Sequence, residues 1–316
     1  MWGSCFMEEN EVNLERALSR VERLKELLAV PPGKKISLRK HYNPAFMPSR
    51  YNDKEMKTLL AEGVELMAEY QDHLYAQSEY ALLIVLQALD AAGKDSMIKH
   101  MMSGVNPQGC DVFSFKKPSA EELKHDYLWR CAIRLPERGK IGIFNRSYYE
   151  EVLVARVHPE ILDQQSMPPQ WKDKKIWNRR FEEINNFEKY LVQNGIVVLK
   201  FFLNVSRKEQ KNRFLARIDR PEKNWKFSAN DVNERKFWKG YQRAYQDCFN
   251  HTSTPWAPWY VIPADNKPFS RIAAAGVIIK TLHDLKLRYP KVGRERRHEL
   301  LEIRRALETA RSEQGG

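Results

Sequence analysis

Apolar residues recur at two different periods along this chain, and the changes of period mark its elements. Between Asn13 and Val30, Leu14, Leu18, Val21, Leu24 and Leu28 fall three or four residues apart, the spacing of one helix face, and Pro31-Pro32 stops the run. A second helical stretch is predicted from about Lys54 to Ser78. Ala81 to Leu86 then reads Ala-Leu-Leu-Ile-Val-Leu, a continuous apolar run of strand length, as a parallel strand buried on both faces requires. It leads into Gly93-Lys94 and a predicted helix through His100.

The alternation then repeats. Asp111 to Phe115 reads as a short strand, and Ser119 followed by Glu122 has capping-box spacing, which predicts a helix to about Leu135. Ile141 to Phe144 is another apolar strand, with a helix from about Tyr148. A helix near Asp173 to Gln193 ends at Asn194-Gly195, Ile196 to Val205 is the longest strand, and Ser206 caps a basic helical region. Trp259 to Ile262 and Phe269 to Leu287 supply the last strand and the last core helix. Strands alternating with helices predict an α/β fold with a parallel sheet in three layers. The tail, Arg294 to Gln314, reads as a charged helix that packs on a neighbouring subunit or frays.

Composition narrows the function classes. No apolar run approaches the ~20 residues of a membrane helix, and Met1 to Glu11 lacks the basic start and apolar stretch of a secretory signal, so a cytoplasmic protein is expected. Cys5, Cys110, Cys131 and Cys248 are scattered with no CxxC pair, which argues against a disulfide framework or a zinc site. The formal net charge is +12, and such a field favours polyanions: nucleic acid, an anionic membrane surface or a phosphate-rich substrate.

The position of two motifs and of the charge adds chemistry. Asp90-Ala91-Ala92-Gly93-Lys94 sits where a strand turns into a helix, a place where backbone N–H groups and the helix N-terminus cradle phosphate oxygens. Against the pattern Gly-x-x-x-x-Gly-Lys-Ser/Thr, Ala88 stands at the first glycine and Asp95 at the hydroxyl residue. By itself the Gly-Lys pair also suits a tight turn with a solvated lysine. Asp90 shifts the reading, because a carboxylate repels the anions such a loop attracts, unless it binds Mg²⁺ or orients an attacking phosphate oxygen. Asn145-Arg146 ends the strand Ile141 to Phe144, at the sheet edge where open α/β folds bind ligands, although Asn145 or Ser147 also suits a plain helix cap. From Arg207 to Arg243, twelve basic residues face five acidic ones, a net +7 interleaved with Phe214, Trp225, Phe227, Phe237 and Trp238. A solvated helix face is the ordinary account of such a run. A flap closing over a multiply charged substrate is the other, and base stacking on nucleic acid has the same look.

Seven blocks together resemble the second family of polyphosphate kinases: residues 88–95 (Ala-Leu-Asp-Ala-Ala-Gly-Lys-Asp), 103–109, 114–118, 125–130, 141–150 (Ile-Gly-Ile-Phe-Asn-Arg-Ser-Tyr-Tyr-Glu), 224–227 and 257–265. The resemblance runs in order from about Val30 to Leu285. It implies a thymidylate-kinase-like P-loop kinase fold with a helical lid, Mg²⁺ dependence, and reversible transfer between inorganic polyphosphate and nucleotides. It divides the chain into an N-terminal helical extension (1–50), a phosphotransferase domain (51–290, lid about 207–243) and a C-terminal helix (291–316).

By position the resemblance implies catalytic roles for Asp90, Lys94, Arg146, Arg213 and Arg217, with Asp90 and Glu150 toward the metal. Ala92, Gly93, Asp95, Ser96, Asn106, Phe115, Lys116, Arg130, Asn145 and Lys226 are expected to bind substrate, Phe115 and Lys116 as base contacts. Many members carry Asp-Arg where this chain has Asn145-Arg146, and a neutral amide is the weaker Mg²⁺ ligand, so Glu150 one turn on is the candidate replacement. The Asn-Arg-Ser-x-Tyr-Glu form is similar to the branch that accepts both AMP and ADP; GMP and GDP stay open. A homo-oligomer, dimer or tetramer, is expected, with no nucleic-acid or membrane partner. The competing readings are an ATP-dependent kinase of a small metabolite on the same fold, and a basic polyanion-binding protein without turnover.

Overall fold

The computed structural model describes residue 15 and residues 18–49, 51–225 and 227–313. The start of the first predicted helix with Leu14, Cys5, Lys226 and Gln314 lie outside the described residues. Five strands form one all-parallel sheet: β1 (Ala81–Ala88), β2 (Cys110–Ser114), β3 (Ile141–Asn145), β4 (Ile196–Asn204) and β5 (Trp259–Pro263), in the order β2-β3-β1-β4-β5. β1 is central, and all eight of its residues are buried. Alternate side chains go to opposite faces. Leu82, Ile84 and Leu86 join one core cluster, while Leu83 and Val85 join the other. That two-sided burial is why the strand reads as an unbroken apolar run.

Helices Asp53–Gln77, Lys94–Met101 and Lys267–Asp284 cover the first face, together with the helix over residues 18–28. Helices Glu150–Val157, Ile176–Gln193 and Trp238–Thr252 cover the second. Local signals set several boundaries. Asn52 and Glu55 form a reciprocal capping box at the start of Asp53–Gln77, and Ser78 ends that helix in the left-handed conformation. Among the described residues, no helix is long and apolar enough to cross a membrane. The described cysteines, Cys110, Cys131 and Cys248, are free and buried.

One predicted element differs. The Ser119–Glu122 capping box forms, with Ser119 N–H donating to Glu122 Oε2 at 2.7 Å, but the turn it opens is the 3₁₀ segment Glu122–Lys124. His125 then goes extended, and Asp126 Oδ1 accepts the Leu128 N–H at 2.9 Å. That local side-chain bond offers the backbone an alternative to helix, so only Trp129–Ala132 resumes it. At the far end, every residue from 291 to 308 is exposed, so residues 294–308 of the helix Arg294–Glu313 cover no part of the core.

The central strand sets the stability of this arrangement. Ile84→Ala removes a side chain that is 1 % exposed, and it should cost about 2–5 kcal/mol, read as a lowered midpoint in urea unfolding at unchanged slope.

Candidate active site

The carboxyl ends of β1 and β3 are neighbours, with Leu86 paired to Asn145, so the segments that follow them meet. After β1 the chain turns through Ala91 at φ +59° and Gly93 at φ +112° before the helix Lys94–Met101 begins. After β3 it turns through Arg146 at φ +65°. Left-handed backbone at a non-glycine residue is costly and persists only where surrounding contacts impose it. Two such residues stand on either side of one crevice.

Arg146 occupies the middle of that crevice. Its guanidinium lies 3.5 Å from Asp90 Oδ1 and 3.6 Å from Glu150 Oε2. Partly exposed pairs of this kind contribute only about 0–1 kcal/mol. Their value here is in geometry: two carboxylates and a cation converge at one point of the crevice. The Lys94 ammonium donates to the Ala88 carbonyl at 3.0 Å. Burial pushes that ammonium down from its ordinary value and Arg146 pushes the same way, against Asp90, Glu150 and Asp95. Burial raises the Glu150 carboxyl, opposed by Arg146 and Lys94. The site is therefore a set of two cations and several carboxylates whose charges act on one another. Asp95 accepts from Asn145 Nδ2 at 3.4 Å, and Ser96 Oγ accepts from Arg271 at 2.9 Å.

Arg213 lies elsewhere than a mobile flap residue would. Its side chain is 7 % exposed and donates to the carbonyls of Ala91, Ala92, Ala264 and Asp265, with Glu209 accepting from Nε at 2.8 Å. It braces the loop from beneath. Arg217, one turn further along the helix Arg207–Ile218, reaches Asp231 at 3.5 Å and lies over the Phe214 ring.

Three other expected site residues take other roles. Asn106 lies just before β2, at the amino edge of the sheet, and caps the turn Pro107–Gly109 by accepting the Gln108 N–H; it is remote from the crevice because β2 runs toward it from there. Phe115 is buried against Phe144, with the Arg130 guanidinium over its ring, so it has no free face for a base. Lys116 is exposed, and its carbonyl accepts from Arg130 at 2.7 Å. Arg130 thus ties these two together and also pairs with Glu122.

Tertiary structure adds residues that were not among the expected site residues. A cleft of ≈ 230 Å³ opens between Asp90, Arg146 and Glu150 on one side and the lid segment on the other. Asp231, Glu234, Arg235, Trp238, Tyr241 and Tyr245 line it, with Gln210 donating to the Asp90 carbonyl at 3.0 Å. Burial raises the Asp231 carboxyl, and Asp90 adds to the shift. Asp231 and Glu234 are two of five acidic residues in a run with twelve basic ones, and nothing in their spacing marks them as facing Asp90. Among the described residues no group of three or more His, Cys, Asp or Glu is placed to hold a metal. Mg²⁺ needs no such cage, since one or two carboxylates plus substrate phosphates hold it. The oxygen donors of Asp90 and Glu150, held on one guanidinium, fit that mode.

A parallel sheet of this order, a glycine-lysine loop behind its central strand and a basic helical flap define a P-loop phosphotransferase. Residues 50–290 match polyphosphate kinase 2, and the chain belongs to that family. It is 50% identical over 280 residues to an ADP-polyphosphate phosphotransferase of Rhodopseudomonas palustris, covering 88% of this chain and 96% of that protein. It is 42% identical over 225 residues to an AMP/ADP-polyphosphate phosphotransferase of Meiothermus ruber, covering 71% and 80%. The crystal structure of polyphosphate kinase 2 from Arthrobacter aurescens superposes with a TM-score of 0.79 at 38% identity, covering 88% of this chain and 96% of that one.

The bracing contacts give a direct test. Arg213→Ala strips four carbonyls of a donor and removes the cation paired with Glu209, and should cost about 3–5 kcal/mol. Arg213→Lys should recover little of this, because an ammonium lacks the planar fork. Thermal unfolding of both variants checks the order.

Proposed function

We propose that this protein transfers the terminal phosphoryl group of inorganic polyphosphate to a nucleoside phosphate, AMP and ADP being the acceptors. The observation that carries the reading is the convergence of Asp90, Arg146 and Glu150 at one end of a cleft roofed by the basic lid, with the buried Lys94 ammonium within reach of their charges. The acceptor range is supported by the named activities of the Rhodopseudomonas and Meiothermus relatives. A relative of Corynebacterium glutamicum, 32% identical over 248 residues, is named for GDP, so guanine nucleotides belong in the same assay.

In this mechanism a terminal phosphate oxygen of the nucleotide attacks the terminal phosphorus of polyphosphate. The phosphoanhydride bond to the chain breaks, and polyphosphate leaves one phosphate shorter. Lys94 and Arg146 bind the phosphates and neutralise equatorial charge, the main demand of phosphoryl transfer. Arg217, which the Asp231 carboxylate holds in the lid, follows the lid down when it closes. Arg213 keeps the loop carbonyls turned away from the anions. Asp90 and Glu150 would hold Mg²⁺, which when bound screens the charge on donor and acceptor oxygens. No covalent enzyme intermediate is needed.

Asp90→Asn and Lys94→Ala should each lower kcat by about 10²–10³-fold or more while the protein still folds. Product identification with Mg²⁺, polyphosphate and AMP, ADP, GMP or GDP in separate reactions tests the whole reading. Turnover with ATP but not polyphosphate as donor would instead make the protein a small-metabolite kinase. Nucleic-acid binding that falls steeply with salt, without nucleotide product, would favour the non-catalytic reading.

The family reading extends to assembly as a homo-oligomer. Support comes from the exposed helix Arg294–Glu313, where Leu300, Ile303 and Leu307 form an apolar stripe flanked by Glu299 and Arg304. That spacing lets Glu299 of one copy meet Arg304 of another in a parallel pair. Leu300→Glu/Leu307→Glu should lower the mass measured by light scattering if this helix pairs between copies.

A further inference from the structure

Directly behind the crevice lies a charge pair with no access to it. Lys200 of β4 and Glu188 of the helix Ile176–Gln193 are both 0 % exposed, with Nζ 2.6 Å from Glu188 Oε2. Lys200 also donates to the Thr252 carbonyl at 2.6 Å and to the Tyr149 hydroxyl at 2.9 Å. Glu188 Oε1 accepts from the hydroxyls of Tyr148 (2.9 Å) and Tyr149 (2.8 Å). Both charges are thus fully satisfied, and together they fix two consecutive tyrosines.

Those tyrosines belong to the turn that carries the site. Arg146 precedes them at φ +65°, and Glu150 follows them. Between, Ser147 Oγ accepts from Gln87 of β1 at 3.1 Å and from the Tyr149 N–H at 3.1 Å. A strained residue holds its conformation only if its neighbours over-determine it. Here residues 147, 148 and 149 are 4 %, 2 % and 0 % exposed, and each is anchored by its hydroxyl. Stability alone does not account for a buried ion pair, since apolar residues of equal volume often serve as well or better.

We infer that the Lys200–Glu188 pair is a positioning device, which through Tyr148 and Tyr149 holds Arg146 in its strained backbone between Asp90 and Glu150. It rests on the phosphotransferase reading for its rate assay only. The pair touches no substrate. Its function is to make one geometry of the turn deeper than the relaxed alternatives.

The test is a double-mutant cycle. Glu188→Leu/Lys200→Met replaces the pair with apolar groups of similar volume and should melt within a few degrees of the parent. Its kcat should nonetheless fall about 10–100-fold, a size that coupling within a shared network allows. In an Arg146→Ala background the same replacement should cause little further loss, because the group it positions is gone. Unchanged kcat at unchanged melting temperature, or a loss that adds fully to that of Arg146→Ala, would overturn the inference. Should the replacement prevent folding, Tyr148→Phe/Tyr149→Phe removes only the two hydroxyls, and the same non-additivity is required of it. If the parent shows no turnover with polyphosphate, the functional reading has failed. The cycle is then read in ADP affinity by calorimetry, where additive effects again overturn the positioning role.

Discussion

Arg213 joins three parts of the chain that are far apart in sequence. Its guanidinium bonds the loop after β1 at Ala91 and Ala92, the loop after β5 at Ala264 and Asp265, and, through Glu209, its own helix at the root of the lid. A phosphate-binding loop must turn its N–H groups toward the ligand, so its carbonyls point inward, where a buried acceptor without a donor is costly. Arg213 supplies those donors from one rigid fork. The position of the lid root and the shape of the loop are therefore one constraint. Gly93 takes part through its φ of +112°, a left-handed conformation that disfavours side chains.

Around that brace the electrostatics are graded. Charges that face the cleft, Arg146 with Asp90 and Glu150, sit at 3.5–3.6 Å in loose, partly exposed pairs. The charges behind the turn, Lys200 and Glu188, sit at 2.6 Å with no exposure. Loose, solvent-exposed pairs exchange partners readily. Tight buried pairs do not, because separating them exposes an uncompensated charge to a low-dielectric interior. The charges that face the cleft are thus loosely paired, and the turn that carries them is tied from below by buried bonds.

The lid follows the same logic. Its sequence reads as a basic run, yet Asp231 and Glu234 face the cleft, and Glu234 accepts from Tyr241 at 2.7 Å while lying 2.9 Å from His158 Nε2. Arg217 is paired with Asp231. Asp231 thus offsets the charge of Arg217, and Glu234 ties the segment to Tyr241 and His158. A run of cations alone would repel itself and stay open.

The sequence by itself determined the five strands, the three layers and the loop at Asp90 to Lys94, because period and burial are local consequences of side-chain type. It also brought Asn145-Arg146 to the edge beside Lys94, since parallel α/β sheets place such turns together. It put Phe115 and Asn106 among the substrate-binding candidates, whereas the fold sets Phe115 against Phe144 and Asn106 at the cap of the turn Pro107–Gly109. It gave no sign that Arg213 braces the loop, that Gln210 and Asp231 face Asp90, or that Lys200, in the middle of an apolar strand, meets Glu188. Those partners lie between 12 and 141 residues apart in the chain. A hydrogen bond or a charge pair depends on where two distant elements cross, and no local pattern encodes that crossing; the packed structure alone decides it.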